Sequence, residues 1–169
     1  MDTANETKTA ATLTADQIAE LSQDERDEVA GDEVKTEKLR AATPKSRAAW
    51  TPVSQRWIDD RRLKAESTSA TRAPGRRAAG FRLVALAEER RALVLEAQRP
   101  LSGAGFARNK YAGRCSCGAS AGTSSAAGAE EPPRRKAQVG EAAGWFRRGA
   151  GGRVVVYCHS CAWAAACPA

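Results

Sequence analysis

Hydrophobic residues recur at helical spacing in the first half of the chain, and the earliest such stretch begins near residue 15. Thr14 and Gln17 have the form of a capping box, in which a hydroxyl and an amide side chain satisfy backbone groups at a helix start. The apolar stripe behind them is thin and consists of Ile18, Leu21 and Val29. We therefore predict a helix over residues 15–30, which Gly31 ends.

Two further helices follow in the hydrophobic pattern. Residues 51–66 begin with a threonine and a proline, which suit the cap and the first turn of a helix. Residues 81–98 have the clearest helical periodicity, and Pro100 follows as a stop. The apolar positions of this last helix are Leu83, Leu86, Ala87, Val94 and Ala97. Residues 67–80 are small, polar and interrupted by a Pro-Gly pair, which predicts a linker.

After residue 100 the helical periodicity gives way to glycine-rich segments and short β-branched runs. Gly144–Arg148 and Arg153–Tyr157 are predicted strands, and the glycine-rich residues between them suit a hairpin turn. The second strand is followed directly by Cys158, as expected when a hairpin strand precedes a metal-binding turn. Residues 119–143 form a low-complexity insertion that is expected to loop out.

Four of the five cysteines form two close pairs, separated by a long spacer. They are Cys115 and Cys117 in a C-x-C-G pair, and Cys158 and Cys161 in a C-x-x-C pair. Zn²⁺ favours a tetrahedron of four thiolates, so the spacing predicts a four-cysteine zinc site. Reduced thiols without a metal, redox chemistry and another metal are the alternatives. We expect His159 to face the surface and Cys167 to be a free thiol, although either could replace a ligand.

The residues around these pairs also resemble a known segment. Residues 108–118 (RNKYAGRCSCG) and 144–161 (GWFRRGAGGRVVVYCHSC) are similar to a zinc-ribbon segment of actinobacterial and actinophage DNA-metabolism proteins. That segment reads approximately N-K-Y-x-G-x-C-x-x-C-G, followed by a glycine-rich hairpin and C-x-x-C. The resemblance implies that the two cysteine pairs ligate zinc and that Tyr111 packs beside the site. It also implies an accessory role next to nucleases, helicases or recombination factors.

Charge is distributed unevenly along a chain whose formal net charge is +7. Residues 1–34 contain ten acidic and two basic side chains, whereas the remainder contains ten acidic and 25 basic side chains. A basic body with an acidic arm suits a protein that binds a polyanion. A solvated, arginine-rich surface without such a ligand is the alternative.

Basic and aromatic residues near the cysteines are the candidate nucleic-acid contacts. They are Arg108, Lys110, Tyr111, Arg114, Arg147, Arg148 and Arg153. Phosphate contacts of this kind give binding to DNA or RNA that depends strongly on salt and little on sequence. The alternative is a protein–protein adaptor, in which the acidic helix over 15–30 or the helix over 81–98 docks on a partner and zinc is purely structural.

Enzymatic activity is not expected from this sequence. The chain contains no P-loop, dinucleotide-binding or H-E-x-x-H motif, and a four-thiolate zinc site leaves no open position for a reacting water. We therefore expect no small-molecule substrate.

No apolar run approaches the roughly 20 residues of a membrane span, and the start of the chain has no secretory signal pattern. Clustered cysteines fit a reducing compartment, so we expect a cytoplasmic protein.

These elements together predict a small α+β protein. A disordered acidic arm over 1–13 precedes a helical region over 14–100 with two or three helices. A region with a zinc-ribbon-like β-hairpin then occupies residues 101–169. The chain has nine aromatic residues, and much of its apolar content is alanine, so each part is expected to have a small core.

Overall fold

The computed structural model describes residues 12–67, 73–108, 113–121, 144–152 and 154–168. The helices are α1 (Ala15–Ala19), α2 (Gln23–Ala41), α3 (Pro44–Ala49), α4 (Gln55–Ser67), α5 (Pro74–Gly103) and α6 (His159–Ala166). The strands are β1 (Ala107–Arg108), β2 (Gly113–Arg114), β3 (Ser120–Ala121), β4 (Trp145–Arg148) and β5 (Val154–Tyr157). The predicted α+β class, with helices first and strands near the cysteines, is confirmed. The predicted disordered arm lies almost entirely outside the described residues.

The described residues divide into two units, each with its own core. The helical unit comprises those within Met1–Ala42 and Pro52–Leu93, and the cysteine unit comprises those within Thr43–Thr51 and Val94–Ala169. Helix α5 contributes to both units, and α3 belongs to the cysteine unit although it lies between α2 and α4 in the chain. Across the described ranges, no helix has both the length and the apolar character needed to cross a membrane.

The predicted helix over 15–30 is wrong in its extent. The capping box at Thr14 is present, but α1 lasts only to Ala19. Ser22 then begins α2 with a second capping box, because its hydroxyl accepts from the backbone of Glu25 while the Glu25 carboxylate accepts from the backbone of Ser22. Helix α2 continues through Gly31 to Ala41. A single helical glycine costs only about 1 kcal/mol, so Gly31 does not end the helix.

The bounds of the next two helices also differ from the prediction. Helix α4 begins at Gln55, where the hydroxyl of Ser54 accepts from the backbone N–H of Trp57. Helix α5 begins with Pro74 in its first turn, so part of the predicted linker is helical. It also continues past Pro100, because the proline lies in the last turns and the next residue, Leu101, is completely buried.

The helical unit is held by small apolar clusters and by ion pairs between its helices. One cluster consists of Leu21, Val29, Ala79 and Leu83, and another of Ile58, Val84 and Ala87. Asp32 of α2 accepts from Arg90 of α5 at 3.0 Å, and Glu33 accepts from Arg82 at 3.0 Å. These two acidic residues of α2 are thus engaged with arginines of their own unit.

The cysteine unit contains a three-stranded antiparallel sheet in the order β1-β4-β5. The predicted hairpin is confirmed, with Trp145 opposite Tyr157 and Arg148 opposite Val154. Gly151 and Gly152 adopt positive φ angles of 78° and 76° in the turn between the strands, a conformation that glycine reaches without steric cost. The core residues are Ala48, Ala97, Leu101, Phe106, Trp145 and Ala162.

Candidate metal centre

The first cysteine pair lies in the turn of a second, two-stranded hairpin. Strands β2 and β3 are antiparallel, with Gly113 opposite Ala121. The carbonyl of Cys115 accepts from the N–H of Gly118 at 2.8 Å, and the N–H of Cys115 donates to the carbonyl of Ala119 at 2.9 Å. Gly118 has a φ of +86°, a left-handed conformation that glycine reaches without steric cost in a sharp turn. This turn places Cys115 and Cys117 on the same side of the hairpin tip.

The second cysteine pair lies at the N-terminus of α6. Strand β5 ends at Tyr157, and Cys158 follows as the N-cap residue with extended backbone angles. Cys161 lies one turn further along the helix. The N-terminus of a helix carries a partial positive charge, so this pair lies at the end of α6 where negative charge is best tolerated. Helix α6 was not among the helices predicted from the sequence, although its alanine-rich composition has high helix propensity.

The structure brings all four predicted ligands together. The Sγ atoms of Cys115, Cys117, Cys158 and Cys161 all lie within 4.8 Å of one another. The sulfur atoms of Cys117 and Cys158 are 3.7 Å apart, far beyond the roughly 2.05 Å of a disulfide bond. In a tetrahedron with zinc–sulfur bonds of about 2.3 Å, neighbouring sulfur atoms are about 3.8 Å apart. The spacing therefore fits a tetrahedrally bound metal ion.

The electrostatics of the cluster also favour a cation. Backbone N–H groups of Cys117 and Cys158 donate to the Cys115 sulfur and lower the pKa of Cys115 to about 6. The neighbouring sulfur atoms, Cys158 first, raise the pKa of Cys161 to about 12. Four thiolates this close repel one another, so they cannot all be ionised unless a positive ion compensates their charge. A divalent metal ion provides that compensation.

The four sulfur ligands restrict which metal ions this centre can bind and whether the ion can react. Four cysteine thiolates suit Zn²⁺ or another thiophilic ion, and the four cysteines would fill a tetrahedral coordination sphere. Cys115 is buried with 3% exposure, whereas Cys117 is exposed, so the cluster is covered at Cys115 and open to solvent at Cys117. An arrangement of this kind stabilises a fold by joining two turns that are distant in sequence.

His159 is adjacent to a ligand, and the surface position predicted for it is only partly right, because its side chain is half-buried and both ring nitrogens are hydrogen-bonded within the cysteine unit. Its Nδ1 atom lies 3.3 Å from Nε1 of Trp145, and its Nε2 atom lies 2.7 Å from the carbonyl oxygen of Lys45. Indole nitrogen can only donate, so Nδ1 accepts and Nε2 carries the proton that is donated to Lys45. Burial lowers the pKa of His159 below its ordinary value of about 6.5. Cys167 lies outside the cluster, at the end of α6.

Arg108 anchors the C-terminus of α3. Its Nη2 atom donates to the carbonyls of Ala49 at 2.9 Å and Ala48 at 3.3 Å, and also to the carbonyl of Trp50. The side-chain amide of Gln98 donates to the carbonyl of Trp50 at 2.9 Å. A cation at a helix C-terminus stabilises the carbonyl groups that have no intrahelical partner. Burial lowers the pKa of Arg108 to about 10, which still leaves the guanidinium charged at neutral pH.

The structure describes some of the other predicted nucleic-acid contacts and not the rest. Arg147 and Arg148 are exposed at the end of β4, next to the hairpin turn. The backbone of Arg114 lies in β2. Lys110, Tyr111 and Arg153 lie outside the described residues, as does most of the predicted insertion over 119–143. Trp145 lies in the core of the cysteine unit and Tyr157 packs against it.

Comparison of the chain with protein-family models, with curated proteins and with solved structures found no match. The resemblance to a zinc-ribbon segment therefore stays a prediction. What the structure establishes independently is the clustering of four cysteine sulfur atoms at metal-binding distance.

Proposed function

We propose that this protein is a non-enzymatic, zinc-stabilised nucleic-acid-binding protein that acts as an accessory or regulatory factor. The observation that carries the proposal is that the closed four-cysteine cluster lies in the basic unit of the chain. Zinc would be held by Cys115, Cys117, Cys158 and Cys161, and it would join the two turns rather than take part in a reaction. The binding surface would be the basic exterior of that unit.

The net charge differs strongly between the two units of the chain. The ranges of the helical unit contain sixteen acidic and fifteen basic side chains, a net charge of −1. The ranges of the cysteine unit contain four acidic and twelve basic side chains, a net charge of +8. The excess positive charge of the protein therefore belongs to the cysteine unit. Concentrated positive charge of this kind attracts the phosphate backbone of nucleic acids.

The end of the β4–β5 hairpin is the part of the cysteine unit best suited to contact phosphates. Successive residues of a strand point to opposite faces, so Arg147 and Arg148 present a guanidinium on each face. Both arginines are exposed, and so are Val154 and Val155 opposite them, at 57% and 40%. The hairpin end thus carries exposed arginines on both faces of the sheet, and the Arg147 guanidinium also lies 5.7 Å from the ring centre of the core residue Phe106.

The adaptor alternative has less support. Docking through the predicted 81–98 helix would need the apolar residues of that helix to be available to a partner. These residues are Leu83, Leu86, Ala87, Val94 and Ala97, and all five are at most 7% exposed. Because the chain itself covers them, that helix offers a partner mainly polar side chains and the exposed Leu95. Nucleic-acid binding is therefore the function that we propose.

The test is a titration of labelled DNA and RNA oligonucleotides with the zinc-loaded protein at several salt concentrations. The double variant Arg147→Ala/Arg148→Ala should bind more weakly, and its affinity should depend less steeply on salt, with the slope reduced by about 2. A protein that binds no oligonucleotide at about 50 mM salt would contradict the proposal.

The matched control is Arg56→Ala/Arg77→Ala in the helical unit. Both control arginines are exposed, and Arg77 lies 5.7 Å from the ring centre of Phe81, the same distance that separates Arg147 from Phe106. The two double variants therefore remove equal charge and a similar arginine–ring contact. Equal losses of affinity in both variants would show that overall charge, and not the cysteine unit, determines binding.

A further inference from the structure

Trp50 is an exposed aromatic residue on a fixed backbone in the basic unit. Its side chain is 42% exposed, which is unusual for the largest apolar side chain in proteins. Its carbonyl is held by two side chains, Gln98 from α5 and Arg108 from β1. The backbone is therefore restrained while the indole ring faces solvent. An aromatic ring presented in this way is pre-organised for binding, because little conformational freedom is lost when a ligand stacks on it.

Positive charge lies next to Trp50. The guanidinium of Arg108 donates to the Trp50 carbonyl, so a cation is fixed beside the backbone of this residue. Lys45 is exposed on α3, which leads into Trp50. Trp50 also belongs to the unit with a net charge of +8. A phosphate backbone drawn to this unit would bring its bases within reach of an aromatic face.

Trp57 offers an internal comparison. It is exposed to a similar degree, 36%, but it belongs to the nearly neutral helical unit. The guanidinium of Arg61 lies 5.0 Å from the ring centre of Trp57, so one face of this indole is already covered. Among the described residues, no arginine or aromatic ring lies over Trp50 in the same way. The two tryptophans therefore differ in two respects that matter for base stacking: whether an arginine already covers a face of the ring, and whether the surrounding unit carries a net positive charge.

We infer that Trp50 is a stacking platform for an unpaired base, and that the ligand of the cysteine unit is single-stranded nucleic acid. This inference rests on the proposed function and specifies its ligand. Every nucleobase has an aromatic face, so stacking on Trp50 adds affinity without sequence preference. Bases in a duplex are already stacked on their neighbours and are not available to the indole. Trp50 therefore distinguishes single strands from duplexes, whereas the arginines bind the phosphates of both.

The experiment compares full-length, zinc-loaded variants by fluorescence anisotropy with a labelled oligothymidine of about 12 nucleotides and with a duplex of the same length. Trp50→Ala should weaken single-strand binding by about 5- to 100-fold and leave duplex binding nearly unchanged. Trp50→Phe should restore most of the lost affinity. The salt dependence of Trp50→Ala should equal that of the wild type, because stacking releases no counterions. Trp57→Ala, the matched control, should bind like the wild type.

Each contrary result has a distinct meaning. If the wild type binds neither probe, the proposed function fails and the inference fails with it. If the wild type binds oligothymidine and Trp50→Ala binds it equally well, the stacking role is wrong while nucleic-acid binding stands. If Trp50→Ala loses affinity for both probes equally, and its thermal stability and zinc content fall as well, then Trp50 is a structural residue and the inference is overturned.

Discussion

Replacement of His159 by alanine should destabilise the cysteine unit without removing its metal. The variant leaves the buried indole N–H of Trp145 without its acceptor, which costs about 1–3 kcal/mol. It also removes the hydrogen bond to Lys45, which contributes about 0.5–1.5 kcal/mol. The two costs add to about 1.5–4.5 kcal/mol of unfolding free energy, and we expect the lower half of this range because water can partly replace the second bond at the exposed Lys45. With typical urea sensitivities, the unfolding midpoint should fall by about 1–2 M.

The assay follows zinc release into a chromophoric chelator during urea unfolding, because the four proposed ligands all lie in the cysteine unit. The matched variant His159→Gln keeps one acceptor and one donor on the side chain and should lose less stability than His159→Ala. Both variants should bind as much zinc as the wild type before urea is added. A zinc content that falls in His159→Ala would refute the reasoning, because it would make His159 a ligand. A stability within about 0.5 kcal/mol of the wild type would refute it as well.

Three further outcomes are expected. His159, the one histidine of the chain, should show the neutral tautomer protonated at Nε2 in long-range ¹H–¹⁵N spectra at about pH 7.5. A neutral tautomer protonated at Nδ1 would contradict the hydrogen bonds assigned to His159. Gly31→Ala should raise the stability of the helical unit by about 0.5–1 kcal/mol, because a Cβ there meets nothing within 4 Å. Gly75→Ala should lower that stability, because its Cβ would lie 2.5 Å from the Gln17 carbonyl oxygen. Thermal denaturation measures both effects, and equal shifts in the two variants would contradict this prediction. Gly118→Ala should weaken zinc affinity in competition with a chelator, because its φ of +86° costs about 1–2 kcal/mol for alanine, and unchanged affinity would argue against this turn.

The parts of the structure that could be predicted from the sequence are those determined by neighbouring residues. The hairpin follows from the β-branched run Val154–Tyr157 and the glycines before it. The cysteine quartet follows from ligand chemistry, since two close pairs suit one tetrahedral ion. The second capping box, Ser22 with Glu25, was also a local signal, but the prediction treated residues 15–30 as one continuous helix.

The parts that could not be predicted depend on contacts that are distant in sequence. His159 is held by Lys45, 114 residues away, and Arg108 reaches carbonyls about sixty residues away. Nothing in the local sequence distinguishes such a histidine or arginine from a surface residue. Helix α5 likewise passes Pro100 because the burial of Leu101 favours the continued helix more than the missing N–H opposes it. Tertiary packing decided these features.

The measurement that tests the central claim most directly is the metal content and sulfur coordination of the reduced, purified protein. We expect one zinc ion per chain and an X-ray absorption spectrum with four sulfur neighbours at about 2.3 Å. Serine variants of Cys115, Cys117, Cys158 and Cys161 should each lose tight binding, whereas Cys167→Ser, the matched control, should keep it. Absence of bound zinc, a nitrogen neighbour in place of a sulfur, or metal that survives Cys115→Ser would contradict the four-thiolate centre.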